Sequence, residues 1–443
     1  MVSERQPLQW CDNLMFPRIF QAFRMAIQPG KLGIALLGVA VICLAGYIMD
    51  FSNTVVVTPD EQGKITELQA YMQSAQPNEA VPEFCRKYEE KGRRTGVFST
   101  LWHFGSEKFH AALKELFQLN FASVATNIAD CFRAAGWALR YHYLYCLVFI
   151  VIKLGVLSVA GGAICRIAAL QFARGEKPGP IEALRFSLRR FTSFFFAPLV
   201  PVIMIVCIGV FIFALGLLGN IPRAGELIVG IFTLLALTAG ALIAIVVIGA
   251  IAGFNLMFPA VAYDGSDALD VISRSFSYVF SRPWRMLFYS AISAVYGAIC
   301  YLFVRLFAYL LLLVTHLILR CGVWVENSNG ENKLTAIWPE PRFMNLLGSN
   351  GSPAANSTES VAAFLVYVFL WVVVGLVVSM IITFYFSANT IIYSLMRNRV
   401  DKTALEDVYS DFDDAKIETT APGIEPDEPT PNSPSETESD SSS

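Results

Sequence analysis

Two cations stand inside stretches of this chain that otherwise carry no charge. Lys153 lies about ten residues into the apolar run 144–164, and Arg305 about 19 residues into the run 286–319. No Asp or Glu falls in the middle of any such run; Asp50 and Glu226 stand at run ends. A cation held at mid-depth in a bilayer costs at least ~2.5–3.5 kcal/mol on insertion scales, so intramembrane ionisable groups are candidates for function. Three roles fit them. The long side chains snorkel to the interface, or they line a cavity for an anionic lipid head group or anionic solute, or they pair with an acid of another subunit. Arg305 reaches the outer boundary if its helix ends there. The basic loops add Arg166, Arg189, Arg190 and Arg274 as candidate contacts for anionic head groups.

Other chemistry is poorly provided for. His103, Glu107 and His110 recur at i, i+4 and i+7, a spacing that suits metal ligands on one helix face. With no fourth ligand and no HExxH pattern, a solvated polar face is the expectation, and no metal or cofactor is called for. His316 lies deep in an apolar run, where a hydrogen bond to a neighbouring helix is expected. There is no Walker loop, no GxSxG, no dinucleotide fingerprint and no Cys–His nucleophile arrangement. The sequence points away from an enzyme. Its basic loops lack the density of a nucleic-acid surface and suit phosphate head groups better.

The elements that must position these residues are membrane helices. The chain is 55% apolar and 16% charged, and the charges sit between the apolar runs. Six runs reach the ~20 residues that a hydrocarbon core of roughly 30 Å requires: 32–49, 144–164, 196–218, 227–254, 286–319 and 361–396. The last two would measure roughly 50 Å as straight helices, so they tilt, project or break. The expected fold class is all-α: a polytopic helical membrane protein with about six transmembrane helices and interfacial amphipathic helices.

Charge placement sets an orientation. Residues 401–443 hold thirteen Asp/Glu and two Lys, a net of −11, so the overall −3 leaves +8 on the rest. Arg5, Arg18, Arg24 and Lys31 precede the first run, six Lys/Arg follow the second, and Arg397, Arg399 and Lys402 follow the sixth. The positive-inside rule then places both termini in the cytoplasm, of a bacterial inner membrane on the resemblance given below.

Residues 1–31 read as a cytoplasmic lead-in. Ile19, Phe20, Phe23 and Ile27 form an interfacial stripe, and Pro29-Gly30 ends it. Residues 32–49 read as an uncleaved anchor. Residues 50–142 form an external polar and amphipathic segment. In it Phe109, Leu113, Leu116 and Phe117, then Phe121, Val124, Ile128, Cys131, Ala135 and Leu139, make apolar stripes that lie on the bilayer or pack together. Cys85 and Cys131 fall in this segment and are candidates for a disulfide. Asn350 and Asn356 match the glycosylation pattern. Residues 143–396 form a five-helix membrane domain, and 397–443 an acidic, disordered cytoplasmic tail. Leu405, Val408, Tyr409 and Phe412 make a short apolar turn, either docked on the protein's own cytoplasmic face or free for a protein partner. Gly249 with Gly253, Gly161-Gly162 and Gly240 with Ala244 are expected close-approach points between helices.

The two long cytoplasmic loops resemble each other. Glu182–Leu188 aligns with Asp270–Phe276 at an offset of 88, and Arg174-Gly175 parallels Asp264-Gly265. Each copy is expected to lie flat at the interface with its Arg and Ser facing water. The duplicated unit, a surface helix plus two spans, would cover 165–256 and 257–396. The segment 165–176 (CRIAALQFARGE), Phe258-Pro259-Ala260 with Ser273-Arg274-Ser275-Phe276, and Ile392–Arg397 resemble uncharacterised multi-span membrane proteins of planctomycete-type bacteria. More distantly, residues 165–396 are similar to the membrane domain attached to some bacterial glycerophosphodiester phosphodiesterases. The catalytic domain of those enzymes is absent here, so the resemblance implies a bacterial inner-membrane location and no activity. A lipid-binding or envelope-organising membrane protein is the first functional expectation, with membrane lipids and a possible protein partner at the acidic tail. A transporter of a small anionic or amphipathic solute is the second.

Overall fold

The computed structural model describes residues 16–52, 54–58, 65–74, 76–88, 92–222, 224–325, 332–343, 345–348 and 357–409. Asn350, Asn356, Phe412 and most of the acidic tail lie outside them. After a 3-10 turn at Phe16–Phe20, the helices are α1 (Gln21–Ala26), α2 (Pro29–Asp50), α3 (Glu67–Gln73), α4 (Pro77–Tyr88), α5 (Val97–Phe117) and α6 (Phe121–Tyr141). There follow α7 (Tyr143–Arg174), α8 (Pro180–Arg189), α9 (Phe191–Phe196), α10 (Val200–Leu218) and α11 (Gly225–Asp264). The chain closes with α12 (Ala268–Ser281), α13 (Pro283–Gly322), α14 (Lys333–Ile337) and α15 (Ser357–Val400). A two-stranded antiparallel pair, β1 (Val55–Val57) with β2 (Arg93–Thr95), is the only sheet among the described residues. The protein is an all-α polytopic membrane protein: α2, α7, α10, α11, α13 and α15 are long and apolar enough to cross a bilayer.

The last two long helices run unbroken for 40 and 44 residues, and α11 for 40. The sequence places the end of span four near residue 254, yet α11 continues through Pro259 to Asp264. Proline lacks the N–H that would bond the carbonyl four residues back. The Asn255 carbonyl is therefore left without its ladder donor inside a continuous helix. Span three starts later than its composition suggests: α9 ends at Phe196, and Ala197-Pro198-Leu199 breaks the path before α10.

The core lies where α2, α7, α11, α13 and α15 meet the short elements at one end, here termed the proximal end. Residues 16–26 are part of that core rather than an interfacial stripe. Ile19, Ala22, Met25 and Ala26 are buried, whereas Phe20 and Ile27 are exposed. Tyr296 on α13 donates to the Phe20 carbonyl at 3.1 Å. Lys31, counted above as a flanking charge, is buried and donates to Gln171 Oε1 at 3.1 Å.

Both α7 and α11 end on a glycine in the left-handed region, Gly175 (φ 72°) and Gly265 (φ 62°), and each leads into a short amphipathic helix. These helices, α8 and α12, each turn one serine inward, while Ser273 and Ser277 of α12 face outward as expected. Ser187 and Ser275 are fully buried. Ser187 Oγ donates to the Ser158 carbonyl at 2.8 Å. A Cβ on Gly162 would stand 2.4 Å from Ser187 Oγ, and one on Gly253 would stand 3.5 Å from Ser275 Cβ. Gly161, Gly162, Gly249 and Gly253 are contact points as expected, but a Cβ on Gly240 would meet nothing within 4 Å.

At the distal end, Val55, Leu68, Val81, Val97, Ala134 and Trp137 form a small separate core. Trp137 Nε1 donates to Glu67 Oε1 at 3.2 Å. The buried face of α6 is Ala134, Trp137 and Ala138; the predicted stripe residues Phe121, Ile128 and Leu139 point outward. Cys131 is an exposed free thiol, so the candidate bridge to Cys85 is not formed. A carboxylate helps fasten the distal unit to the first span, beside the packing of Phe98 on Tyr47 and Gly46. Asp50, at the end of α2, accepts from the Phe98 and Ser99 amides (2.8 Å each) and from Ser99 Oγ (2.6 Å). It thereby satisfies orphan donors at the start of α5.

Candidate functional site

The two intramembrane cations occupy different places. Lys153 lines a cavity of 570 Å³ together with Leu157, Pro198, Asn255, Phe258 and Tyr385. It lies about 15 Å along α7 from Tyr143, at 1.5 Å per residue, and so within the hydrocarbon depth. Among the described residues no carboxylate pairs with it. The cavity wall is mostly aliphatic and aromatic, and its remaining polar feature is a pair: Tyr385 Oη donates to Asn255 Oδ1 at 2.6 Å. Pro259 has freed the Asn255 carbonyl at the same level of α11. Asn255, Ile381 and Tyr385 also line a second cavity of 280 Å³, which lies between α5, α13 and α15. The Asn255–Tyr385 pair thus forms the partition between two apolar recesses, and among the described residues Lys153 supplies the only charge bordering either of them.

Arg305 does not line the Lys153 cavity. It lies 22 residues beyond Pro283 on α13, about 33 Å at 1.5 Å per residue, which carries it across a hydrocarbon core of roughly 30 Å. There it is buried (7% exposed). Its Nη1 donates to Tyr301 Oη at 2.5 Å and to His110 Nε2 at 2.6 Å, and its Nε donates to the Phe343 carbonyl at 3.0 Å. The tautomer of His110 follows. Its Nδ1 stands 2.6 Å from the Ser106 carbonyl, which only accepts, so Nδ1 carries the proton and Nε2 offers its lone pair to Arg305. Burial first and the Arg305 charge second hold His110 below the usual histidine range, while the Ser106 contact opposes them. The His103, Glu107, His110 series is therefore split: His110 faces the guanidinium, and the other two line a distal cavity. No group of three metal-ligating side chains forms among the described residues.

Among the described residues His316 has no hydrogen-bond partner for either ring nitrogen although it is fully buried. The expected partner on a neighbouring helix is replaced by an edge contact with Trp338, ring centres 5.1 Å apart.

The remaining candidate cations converge on the proximal end, where the chain's own residues 401–409 bond to two of them, Arg166 and Arg190. Arg166 Nη1 donates to the Ala262 carbonyl at 3.0 Å and its Nη2 to the Tyr409 carbonyl at 2.9 Å. Its guanidinium also lies over the Phe186 ring at 4.3 Å. Arg190 Nη2 donates to Tyr409 Oη at 3.1 Å. Arg174 adds bonds to the Val408 and Glu406 carbonyls. Arg274 is paired with Asp264 at 3.2 Å, and the other oxygen of that carboxylate lies 3.1 Å from Arg397 Nε. Tyr393 donates to Asp264, and Tyr278 to Asp401. Arg189 is exposed and borders a recess of 150 Å³ with Arg166 and Arg185. Val408 is buried and Tyr409 packs on Gly265. Asp264, Arg397 and the 401–409 strap were not among the predicted site residues. Asp264 is the acid that closes the 40-residue helix α11, a position that offers a sequence signal for it.

Comparison with family models, with curated proteins and with solved structures finds no match. The fold and the site define the chain as a multi-pass α-helical membrane protein with an apolar cavity bordered by one cation that has no acidic partner among the described residues.

Proposed function

We propose that the protein is a non-enzymatic membrane component that holds an anionic lipid in the groove beside Lys153. The carrying observation is the environment of that lysine: a cation without an acidic partner, on a cavity of otherwise apolar wall, at a depth where an unpaired charge is costly. An amphipathic anion answers both features. Its acidic group compensates the ammonium, and its chain covers Phe258, Leu157 and Tyr385. Lys153 and Arg305 border different spaces, which supports lipid binding over solute passage. The proximal arginines and Lys402 favour an orientation with residues 16–26 and 401–409 on the cytoplasmic side of a bacterial inner membrane.

The test is native mass spectrometry of the protein in nanodiscs that contain equal parts of phosphatidylglycerol and phosphatidylcholine. The expected result is selective retention of the anionic lipid, lost in Lys153→Met with the fold intact. Retention that ignores head-group charge, or that persists in Lys153→Met, overturns the proposal.

A further inference from the structure

The distal unit contains the largest concave space described above, and none of the membrane groove's residues contribute to it. This cavity of 640 Å³ is floored by one face of α5 and walled by β2 and the start of α3. The size falls within the range of small-molecule sites, ~300–1,000 Å³. Most of its hydroxyl and amide groups are already committed. Thr66 and Gln69 close a capping box, Ser99 is held by Asp50, and Thr100 Oγ1 bonds to the Gly96 carbonyl. The charged and imidazole groups left uncommitted are Arg93, Arg94, His103 and Glu107, which form no ion pair or hydrogen bond among the described residues. Two of them are permanent cations on consecutive residues of one short strand, with a single carboxylate among the four. Successive strand side chains leave opposite faces, so the two guanidinium groups border the cavity from different sides of β2. Guanidinium is the side chain that best matches phosphate or carboxylate oxygens in a fork.

We infer that this distal cavity binds a small oxyanion, with Arg93 and Arg94 holding the phosphate or carboxylate group and His103 and Glu107 contacting polar atoms beside it. Hydrophobic walls from Leu68 and Phe104 leave room for more than a bare ion. The site has a direct neighbour in the membrane part. His103 and Glu107 lie on the same helix as His110, one to two turns along the same face, so a ligand here sits on the element that contacts Arg305. The inference is independent of the Lys153 groove.

The experiment uses the full-length protein in detergent at constant ionic strength, titrated separately with inorganic phosphate and with citrate against chloride. Thermal denaturation and isothermal calorimetry are the readouts. Saturable binding of at least one of the two anions is expected. It should weaken about tenfold or more, ~1.4 kcal/mol, in Arg93→Ala/Arg94→Ala and also weaken in His103→Ala. All three side chains are exposed, so folding is not at stake, and Lys153→Met should bind as the wild type does. Absence of saturable binding of both anions overturns the inference and leaves the arginines as guards of a strand edge. So does binding that the arginine variant retains. Loss in Lys153→Met alone would assign the anion to the groove instead.

Discussion

Arg166 and Tyr409, 243 residues apart in the chain, are joined by a hydrogen bond of 2.9 Å from the guanidinium to the tyrosine's main-chain carbonyl. Tyr409 returns its own amide to the Tyr263 carbonyl at 3.0 Å. Residues 401–409 therefore act as a strap that draws α7, α11 and α15 together at the proximal end. A hydrogen bond from a charged donor contributes ~1.5–3 kcal/mol, and its loss in a buried site costs at least that. Arg166→Ala should destabilise the protein by about 2–3 kcal/mol, read as a lowered unfolding temperature in detergent. Truncation after residue 400 should do the same, whereas removal of 410–443 alone should leave it unchanged. Equal temperatures for all three would show that the strap contributes nothing.

Asp264 is the acid on which two arginines converge. Its side chain is 5% exposed and that of Arg397 is 10% exposed, so water compensates little. Removing one partner of a buried pair typically costs ~3–5 kcal/mol. Asp264→Asn should approach that loss, while Arg274→Gln, at a pair whose arginine is 41% exposed, should cost under about 1 kcal/mol. Chemical denaturation in mixed micelles would rank the two, and the reverse order would refute the assignment.

Acid should loosen the distal unit. The folded pKa of His110 is depressed, so the unfolded or undocked state takes up the proton more readily. Stability is then intact above the ordinary histidine pKa of about 6.5 and declines as pH falls below it toward the folded value. A protonated Nε2 would also point its hydrogen at Arg305. Hydrogen exchange of α5 amides should accelerate between neutral and mildly acidic pH in the wild type. His110→Gln keeps an acceptor without a titrating ring and should flatten the profile; an unchanged profile would contradict the tautomer deduced here.

Glycine positions give a graded test of helix contact. A Cβ on Gly162 would stand 2.4 Å from Ser187 Oγ and 2.9 Å from the Phe194 ring, so Gly162→Ala should cost ~1–3 kcal/mol through overpacking. At Gly240 nothing lies within 4 Å, and Gly240→Ala should be neutral or gain up to ~1 kcal/mol of helix propensity. Expression level and unfolding temperature would separate the pair.

The membrane helices were legible because their composition is decided by the solvent. A run such as 200–218, without a charge, has one satisfactory environment. Side-chain orientation was less legible, for a related reason. In a soluble protein the large apolar residues mark the core, whereas beside lipid they gain nothing by turning inward, and small residues let helices approach. Hence Gly161, Gly162 and Ala163 of α7 are buried while Leu147, Ile150 and Val151 face out, and Ser187 and Ser275 are inside. Lys31 followed the same inversion: a charge near a span end was counted as a flank, but Gln171 was there to receive it. Arg305 was recognisable as unusual from its position, yet its partners His110 and Phe343 lie 195 and 38 residues away in the chain and carry no local signal. Asp264 and the strap escaped for that reason too, since main-chain carbonyls accept most of the strap's bonds and main chain has no sequence signature.

The Asp50 clamp has a mechanical meaning. The carboxylate that ends the first span grips the leading amides of α5, and the far half of α5 rests on Arg305 and Tyr301 of the fifth span. The bar is thus pinned at two points to two separate pillars. A tilt or piston stroke of either pillar must swing the bar, and with it the floor of the basin bordered by Arg93 and Arg94.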